Sequence, residues 1–339
     1  MKYKSILVTQ HGGPEVLQIV ENDLRPPGAG EVCIKVLAAS VSRPDVTVRR
    51  GEALYTGTPL AQKLPFTPGY AVIGDVEAVG ADVREVAAGD RVGVLTVSGG
   101  YTERLYWRGD RLIPVPVSVD PAEAVTLILN YIVAYQALHR SAKVKTGEKA
   151  LIIGASGGIG TALLQFGHLA DLKMYAIASK SKHPILAEYG ATPIDYHTQD
   201  FVDEIQRAEP DGLDVVLDGM TRLDYIRRSL PLLRGGGRMV SFGEPAGLPE
   251  LFHILATVAG VNLRPNGKSF KLYGTSTYFL GNRKPYLEDW STLFALLHEE
   301  KIKPIIAAKF PILEAAKANE LLESGQVTGN VVLLTPDLL

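Results

Sequence analysis

The segment from Ala150 to Gly160 constrains the fold of this chain more than any other. It reads Ala-Leu-Ile-Ile-Gly-Ala-Ser-Gly-Gly-Ile-Gly, an apolar run that stops in glycines, and a helical pattern follows over Thr161–Ala170. The pattern predicts a buried strand, a tight turn and a helix. In such a turn Gly157 would let the backbone approach a pyrophosphate, and Gly160 would let the helix pack closely on the strand.

The turn departs in one respect from the G-x-G-x-x-G fingerprint of dinucleotide-binding folds. Ala155 stands at the first glycine position, and Gly154 lies one residue earlier. The turn therefore leaves two interpretations open, a dinucleotide site and a glycine-rich turn without a ligand. The candidate cofactor contacts in it are Ser156, Gly157, Gly158 and Ile159.

Length and composition narrow the class of protein. A chain of 339 residues exceeds one typical core and predicts two domains. The formal net charge of −2 shows no excess of basic residues of the kind that binds nucleic acid. The one cysteine, Cys33, excludes a disulfide framework and a zinc site built of cysteine thiolates. The sequence has no pattern of a signal peptide or a membrane span, so we expect a cytoplasmic protein.

The pattern of strands and helices changes near residue 120. Before it, short strands alternate with glycine and proline turns, which indicates a β-rich domain. After it the pattern is helical, and beyond the glycine turn strands and helices alternate as in a doubly wound parallel sheet. We expect an inserted helix over Leu248–Ala259 and a last strand of this sheet over Lys271–Phe279. The strands predicted in the first region are Ser5–Thr9, Val16–Val20, Glu31–Ala38, Tyr70–Val79, Arg91–Val97 and Gly100–Trp107.

Several motifs in order resemble the medium-chain dehydrogenase/reductase superfamily. They are Leu64-Pro-Phe-Thr-Pro-Gly-Tyr, Gly89-Asp-Arg-Val, Gly100-Tyr-Thr-Glu, Ala134-Tyr-Gln-Ala-Leu, the glycine turn and Ile302-Lys-Pro-Ile. The closest resemblance is to the zinc-free quinone oxidoreductase branch, and Leu129–Tyr135 is similar to the vesicle amine transport protein homologues, a side branch. The resemblance implies a GroES-like catalytic domain, residues 1–125 and 281–339, around a Rossmann NADPH-binding domain, residues 126–280.

The residues at the positions of the family's catalytic zinc indicate a metal-free reaction. Zinc-dependent members carry a cysteine near Ser42 and a Gly-His-Glu where this chain has Gly69-Tyr70-Ala71. Without a Lewis acid to polarise an alcohol or ketone oxygen, hydride must go to an acceptor that is already electrophilic. The expected substrate is therefore a small hydrophobic quinone or α,β-unsaturated carbonyl, and we expect no metal site.

The choice of cofactor depends on the end of the second strand after the glycine turn. An NAD site offers an Asp or Glu there, whereas the segment Ala178–His183 contains no acid. Lys180 and Lys182 can neutralise a 2′-phosphate and Ser179 can donate to it, which favours NADPH. The alternative is a pair of lysines on a solvated loop.

Further cofactor contacts follow from the resemblance. Tyr196 matches a tyrosine on the adenosine side, and Asn330 matches a C-terminal residue that reaches the cofactor. Val133 replaces a threonine near the nicotinamide. The remaining candidates are Phe242, Gly243, Phe279 and Leu280.

The catalytic assignment is Tyr55, which lies about where enoyl reductases of the superfamily carry a catalytic tyrosine. A phenol can donate a proton or polarise a carbonyl. The alternative is a loop aromatic that lines the pocket. Ser42 and Tyr131 are candidate pocket residues, with packing in a helix core as the alternative for Tyr131.

Other functions and an assembly remain as alternatives and expectations. An enoyl thioester reductase and a non-catalytic NADPH-binding or adaptor protein both suit this fold. A short-chain dehydrogenase does not, because no tyrosine has a lysine four residues later. An apolar edge strand invites pairing with a second copy, so we expect a homodimer through residues 271–279. The insert at residues 247–267 is a candidate lid.

Overall fold

The structure, a computed structural model, describes residues 1–59, 61–275, 279 and 281–339. The chain forms two compact units. The first comprises Met1–Leu129 and Lys284–Leu339, and the second comprises Asn130–Arg283. Each unit has a hydrophobic core of its own.

The first unit is built on β-sheets, and all six strands predicted in its N-terminal part are present. A two-stranded sheet pairs β1 with β2, and a seven-stranded sheet has the order β14-β15-β3-β4-β5-β7, with β6 on β3. The strands are β1 Lys2–Val8, β2 Leu17–Asp23, β3 Glu31–Val41, β4 Ala71–Val79, β5 Arg91–Leu95, β6 Arg104–Arg108, β7 Ile113–Pro114, β14 Ile306–Pro311 and β15 Asn330–Leu334.

Local capping explains where the helices of the first unit begin. Helix α1, Arg43–Arg50, starts with a capping box between Ser42 and Asp45 and ends at Gly51. Helix α2, Pro121–Thr126, is capped by Asp120, whose carboxylate accepts from the Ala122 N–H at 2.6 Å. The remaining helices of this unit are α9 Lys284–His298 and α10 Ala315–Glu323.

The second unit is a Rossmann fold, as the sequence predicts. Its parallel sheet has the order β10-β9-β8-β11-β12-β13. This is the strand order of doubly wound folds, and the direction in which successive strands are added reverses at β8. The strands are β8 Lys149–Ile153, β9 Lys173–Ala178, β10 Thr192–Asp195, β11 Leu213–Asp218, β12 Leu233–Ser241 and β13 Ser269–Leu272. The helices are α3 Ile132–Tyr135, α4 Gly158–Leu169, α5 His183–Glu188, α6 Phe201–Ala208, α7 Leu223–Ser229 and α8 Leu248–Asn262.

The end of the Rossmann sheet differs from the prediction. The last strand begins earlier and ends at Leu272, and Thr275 is already helical. Residues 276–278 of the predicted strand lie outside the described residues. A short apolar run does not distinguish a strand from a buried helix by periodicity, and Gly274 separates the two elements here.

The insert before this strand is a helix, as predicted, and it extends to Asn262. Ile254 and Val261 are buried in the core of the Rossmann unit, where Phe270 also lies. The helix therefore belongs to the packed structure of its own unit. In the described parts of the chain, no helix combines the length and the hydropathy that crossing a bilayer requires.

Candidate functional site

Four of the predicted cofactor segments meet at one edge of the Rossmann sheet. The glycine turn follows β8, Ser179 follows β9, Tyr196 follows β10 and Phe242 follows β12. Because these strands are parallel, their carboxyl ends lie at the same edge. Ligands of open α/β sheets bind at this edge, beside the strand where the strand order reverses.

The glycine turn leaves the backbone open to an anion. Gly157 caps α4 without a side-chain hydrogen bond, so the first N–H groups of this helix have no side-chain cap from that residue. A Cβ on Gly157 would have its nearest neighbour, the Gly154 oxygen, at 3.7 Å, whereas a Cβ on Gly160 would lie 2.2 Å from the same oxygen. Gly160 therefore allows the close packing of helix on strand, and the turn fits a dinucleotide pyrophosphate.

The loop after β9 presents the cationic side chains predicted from the sequence. Ser179 precedes a single helical turn, Lys180–Lys182, and its hydroxyl lies 3.3 Å from that of Ser181. Lys180 is exposed and Lys182 is half-buried. On the next strand end, Tyr196 is 51% exposed, and its ring centroid lies 4.1 Å from that of His197. These side chains are accessible to a nucleotide.

Sequence reasoning missed Asp218, the last residue of β11. It is fully buried, and its carboxylate accepts from the N–H groups of Met220 at 2.9 Å and Thr221 at 3.2 Å and from the Ser241 hydroxyl at 2.8 Å. Burial raises the pKa of Asp218, and these hydrogen bonds offset part of the rise. A signal was present, because an acid that ends a buried strand lies at the ligand edge of the sheet.

The Asp218 contacts extend to Gly243, a predicted cofactor residue. The Gly243 N–H donates to the hydroxyl of Thr221 at 2.8 Å, and Thr221 has a positive φ of 49°. A Cβ on Gly243 would lie 2.4 Å from the Gly219 oxygen. Asp218 thus fixes the loops that follow β11 and β12 against each other.

In the first unit, three predicted positions lie at one end of the large sheet. The antiparallel pairing of Val331 with Val41 sets Asn330 opposite Ser42, and Asn330 donates through Nδ2 to the Ile305 carbonyl at 3.0 Å. Ser42 is buried, and both its N–H and its hydroxyl donate to Asp45. Tyr70 directly precedes β4, the strand beside β3.

The other predicted residues have different surroundings. Tyr55 lies half-buried in a turn, where its carbonyl accepts from the Thr58 hydroxyl at 2.6 Å. Tyr131 is fully buried, and its ring packs edge-on against Phe166 at 5.7 Å. Phe279 is buried, with the Arg283 guanidinium 5.2 Å from its ring. Leu280 lies outside the described residues.

Comparison with known proteins agrees with this geometry. Residues 28–117 match the alcohol dehydrogenase GroES-like domain family, and residues 189–333 match the family described as zinc-binding dehydrogenase. The quinone oxidoreductase of Rattus norvegicus is 30% identical over 98% of this chain and 97% of its own. The chain belongs to the medium-chain dehydrogenase/reductase superfamily. It is an oxidoreductase of the quinone oxidoreductase-like branch.

Two further proteins are similar to this chain over nearly its whole length. The synaptic vesicle membrane protein VAT-1 homolog of Rattus norvegicus is 31% identical over 98% of this chain and 84% of its own. A crystal structure of Escherichia coli quinone oxidoreductase complexed with NADPH superimposes with a TM-score of 0.85 at 27% identity, over 98% of this chain and 99% of that one. The Rossmann unit of this superfamily member is a site for a nicotinamide cofactor.

The name of the second family model raises the question of a metal. Ser42 and Tyr70 are the positions that the resemblance assigns to the Cys and His of zinc-dependent members, and neither is a zinc ligand of the usual kind. Within the described ranges, no three His, Cys, Asp or Glu side chains are grouped so that they could hold a metal ion. The residues at this position do not fit a catalytic zinc.

Proposed function

We propose that this enzyme is an NADPH-dependent, zinc-independent reductase that transfers hydride to a quinone or an α,β-unsaturated carbonyl. The observation that carries the proposal is the loop after β9. It offers Lys180 and Lys182 to a 2′-phosphate and contains no acid for a ribose 2′-hydroxyl. The absence of zinc ligands at Ser42 and Tyr70 directs the chemistry to acceptors that need no Lewis acid.

In this proposal one domain binds NADPH and the other contains the acceptor site. Residues 126–280 bind NADPH through the glycine turn, Lys180 and Lys182, Tyr196 and the Asp218-supported loops. Residues 1–125 and 281–339 form the GroES-like catalytic domain, and the segments at Ser42 and Tyr70 line the acceptor site there. Bound NADPH supplies the hydride.

Reduction also consumes a proton, which an acidic side chain or water must deliver. A reduced quinone takes the proton on oxygen, and a reduced enone takes it on the α carbon. We assign this donation to Tyr55, because a phenol can donate a proton to a developing oxyanion. In the turn that carries this side chain, the Thr58 hydroxyl donates to the Tyr55 carbonyl at 2.6 Å.

Anaerobic turnover with NADPH tests the proposal. We expect reduction of quinones or enones, unaffected by a chelator, and slower or absent reduction of enoyl thioesters. The Tyr55→Phe variant should lower kcat by about 10²-fold if the phenol donates the proton. The control is Tyr106→Phe, on β6. It removes a hydroxyl that accepts from the Arg25 N–H and donates to the Arg25 carbonyl, and it should leave kcat unchanged.

Three outcomes contradict the proposal. Preferential turnover of enoyl thioesters favours the alternative activity. One zinc per chain with activity lost to a chelator contradicts metal independence. NADPH binding without turnover of any acceptor favours the alternative of a non-catalytic NADPH-binding or adaptor protein.

We also propose a cytoplasmic location and a homodimeric assembly. The exposed apolar side chains of α8, beside the edge strand β13, support a second copy as the partner.

A further inference from the structure

A buried carboxylate in the first unit has no part in the proposed reaction. Asp45, in the first turn of α1, is 4% exposed. Its Oδ2 accepts from the Ser42 N–H at 2.9 Å and the Ser42 hydroxyl at 2.5 Å, and its Oδ1 accepts from the Gly69 N–H at 2.9 Å. We call these three bonds the Asp45 bracket. The bracket joins the start of α1 to the loop before β4.

The bracket goes beyond ordinary helix capping because it includes Gly69. Gly69 has a φ of 109°, and a Cβ there would lie 2.5 Å from the Tyr101 nitrogen. Its carbonyl accepts from the Thr96 hydroxyl at 2.5 Å and the Gly100 N–H at 3.0 Å. Its N–H is thus the group through which α1 holds this loop, and Tyr70 is the next residue.

We propose that Asp45 is a positioning residue for the acceptor site, holding the Ser42 hydroxyl and the Tyr70 backbone at a fixed separation. The inference rests on the proposed function, which assigns the acceptor site to these two segments. In this chain a carboxylate with three donors makes the connection.

The electrostatic surroundings make the bracket depend on pH. Burial raises the pKa of Asp45 to about 6, and its hydrogen bonds with Ser42 and Gly69 hold back a larger rise. The Tyr101 phenol also faces the carboxylate, and burial followed by the charge of Asp45 raises the pKa of Tyr101 well above its ordinary value.

The neighbouring charges come from the same helix and from α10. Arg49 is the buried cation on α1, and it pairs with Glu323 of α10, as does Arg50. Asn319 of α10 contacts the Tyr101 phenol. When Asp45 takes up a proton it loses its charge, and a neutral carboxyl is a weaker hydrogen-bond acceptor than a carboxylate, so the bracket bonds weaken.

The Asp45→Asn variant tests the bracket, because the two oxygens of Asp45 each accept from a backbone N–H, of Ser42 and of Gly69, and an amide has only one oxygen, so one of these bonds is lost in either orientation. We expect the acceptor KM to rise about 10-fold at pH 7.5, equivalent to one lost bond of about 1.4 kcal/mol. The NADPH dissociation constant should change by less than about 2-fold on that scale. In wild type, kcat/KM for the acceptor should fall below about pH 6, and this acid limb should disappear in the variant.

Two further variants make the test specific. Ser42→Ala removes one donor that lowers the pKa of Asp45, so it should move the acid limb to higher pH. This variant replaces Asp45→Asn as the test if Asp45→Asn does not fold. The control is Asp214→Asn, a buried acid in the Rossmann unit that accepts from the Lys149 N–H and from Arg234. It should lower stability and leave the acid limb in place.

Amide hydrogen exchange gives a readout that does not depend on turnover. Exchange at residues 69–71 should be about 10-fold faster in Asp45→Asn than in wild type, since loss of a bond of about 1.4 kcal/mol shifts local opening by that factor. Unchanged exchange and unchanged acceptor KM overturn the inference. So do equal losses in NADPH and acceptor binding, or a shifted acid limb in Asp214→Asn. If wild type reduces no acceptor, the proposed function fails, and faster or unchanged exchange still decides whether Asp45 holds the loop.

Discussion

The side-chain amide of Asn262 pairs with both backbone polar groups of Phe270. Its Nδ2 donates to the Phe270 carbonyl at 3.0 Å, and its Oδ1 accepts from the Phe270 N–H at 2.9 Å. Phe270 lies in β13, the edge strand of the Rossmann sheet. The groups that a second strand would need at this residue are therefore already engaged by the end of α8.

A dimer is therefore expected to use the outer face of α8 rather than strand pairing at Phe270. Leu248, Phe252 and Leu255 are exposed at a spacing of four and three residues, and Leu263 follows the helix with 83% exposure. The opposite face is buried in the core, and a group of exposed apolar side chains of this kind marks an interaction surface. Light scattering at micromolar concentration should give twice the mass of the chain.

The Phe252→Glu variant should yield a monomer, because a charge on a buried dimer contact costs more than the contact contributes. Leu169→Glu is the control, since Leu169 is a comparably exposed leucine at the end of α4. A wild-type monomer, or a dimer that survives Phe252→Glu, contradicts this interface.

The sequence predicts the Rossmann unit well because its signals are local. The strand, turn and helix around Gly157 follow from an apolar run and the conformational needs of glycine, and the alternation of strands and helices determines the sheet class. The end of β13 could not be predicted in this way. Its position depends on Gly274, on the burial of Phe270 and on the contact with Asn262, and these are properties of the folded chain.

The hydrogen-bond partners of the buried acids Asp45 and Asp218 could not be predicted from the sequence either. Asp45 and Asp218 stand in the sequence as ordinary acids, and no spacing rule links Asp45 to Gly69 or Asp218 to Ser241. Those links arise because strand register and helix docking bring distant segments together. The position of Lys180 and Lys182 directly after a strand, in contrast, could be predicted from the sequence, and their contact with a 2′-phosphate stays a prediction.

The lysine pair after β9 should determine the choice between NADPH and NADH. Charge-assisted hydrogen bonds to a 2′-phosphate contribute on the order of 1.5–3 kcal/mol each, so NADPH should be favoured by about tenfold or more after allowance for exposure. The double variant Lys180→Ala with Lys182→Ala should raise the KM for NADPH and leave that for NADH nearly unchanged. The advantage of NADPH should also decrease with salt.

The matched control for this pair is Lys143→Ala with Lys145→Ala. These two exposed lysines have the same spacing and lie in the same unit, but they precede β8 at the opposite edge of the sheet. They should leave both KM values unchanged. Equal affinity of wild type for NADPH and NADH by titration calorimetry would contradict the role of Lys180 and Lys182.

Asp218 should support cofactor binding through the loops that it holds. Asp218→Ala removes the acceptor for Met220, Thr221 and Ser241, and we expect the NADPH dissociation constant to rise about 10-fold or more. Asp218→Asn keeps an oxygen for the two N–H groups, and the Ser241 hydroxyl can turn to accept from the new amide. Its dissociation constant should therefore stay within about 3-fold of wild type. Titration calorimetry of both variants checks this, and equal values for Ala and Asn would show that the hydrogen bonds are unimportant.

Glu209 should make the stability of the Rossmann unit depend on acid pH. Its carboxylate, buried at the end of α6, binds Lys149 at 2.5 Å, Lys173 at 2.6 Å and the Tyr175 hydroxyl at 2.6 Å. Burial by itself raises the pKa of Glu209, but the hydrogen bonds from these three residues outweigh it and lower the pKa to about 2. The folded state therefore binds the proton more weakly than the unfolded state, whose glutamates titrate near 4.3.

The sign of the pH dependence follows from this difference. The stabilisation is fully present above the unfolded pKa, decreases as the pH falls from about 5, and is lost near pH 2. At pH 7 the Glu209→Gln variant should unfold with a free energy lower by about 1.5–3 kcal/mol, as for a hydrogen-bonded charged group. Urea unfolding of wild type and variant between pH 7 and pH 3 should show this difference shrinking towards acid. A difference that stays constant over that range would mean that Glu209 stabilises the unit through packing and not through its charge.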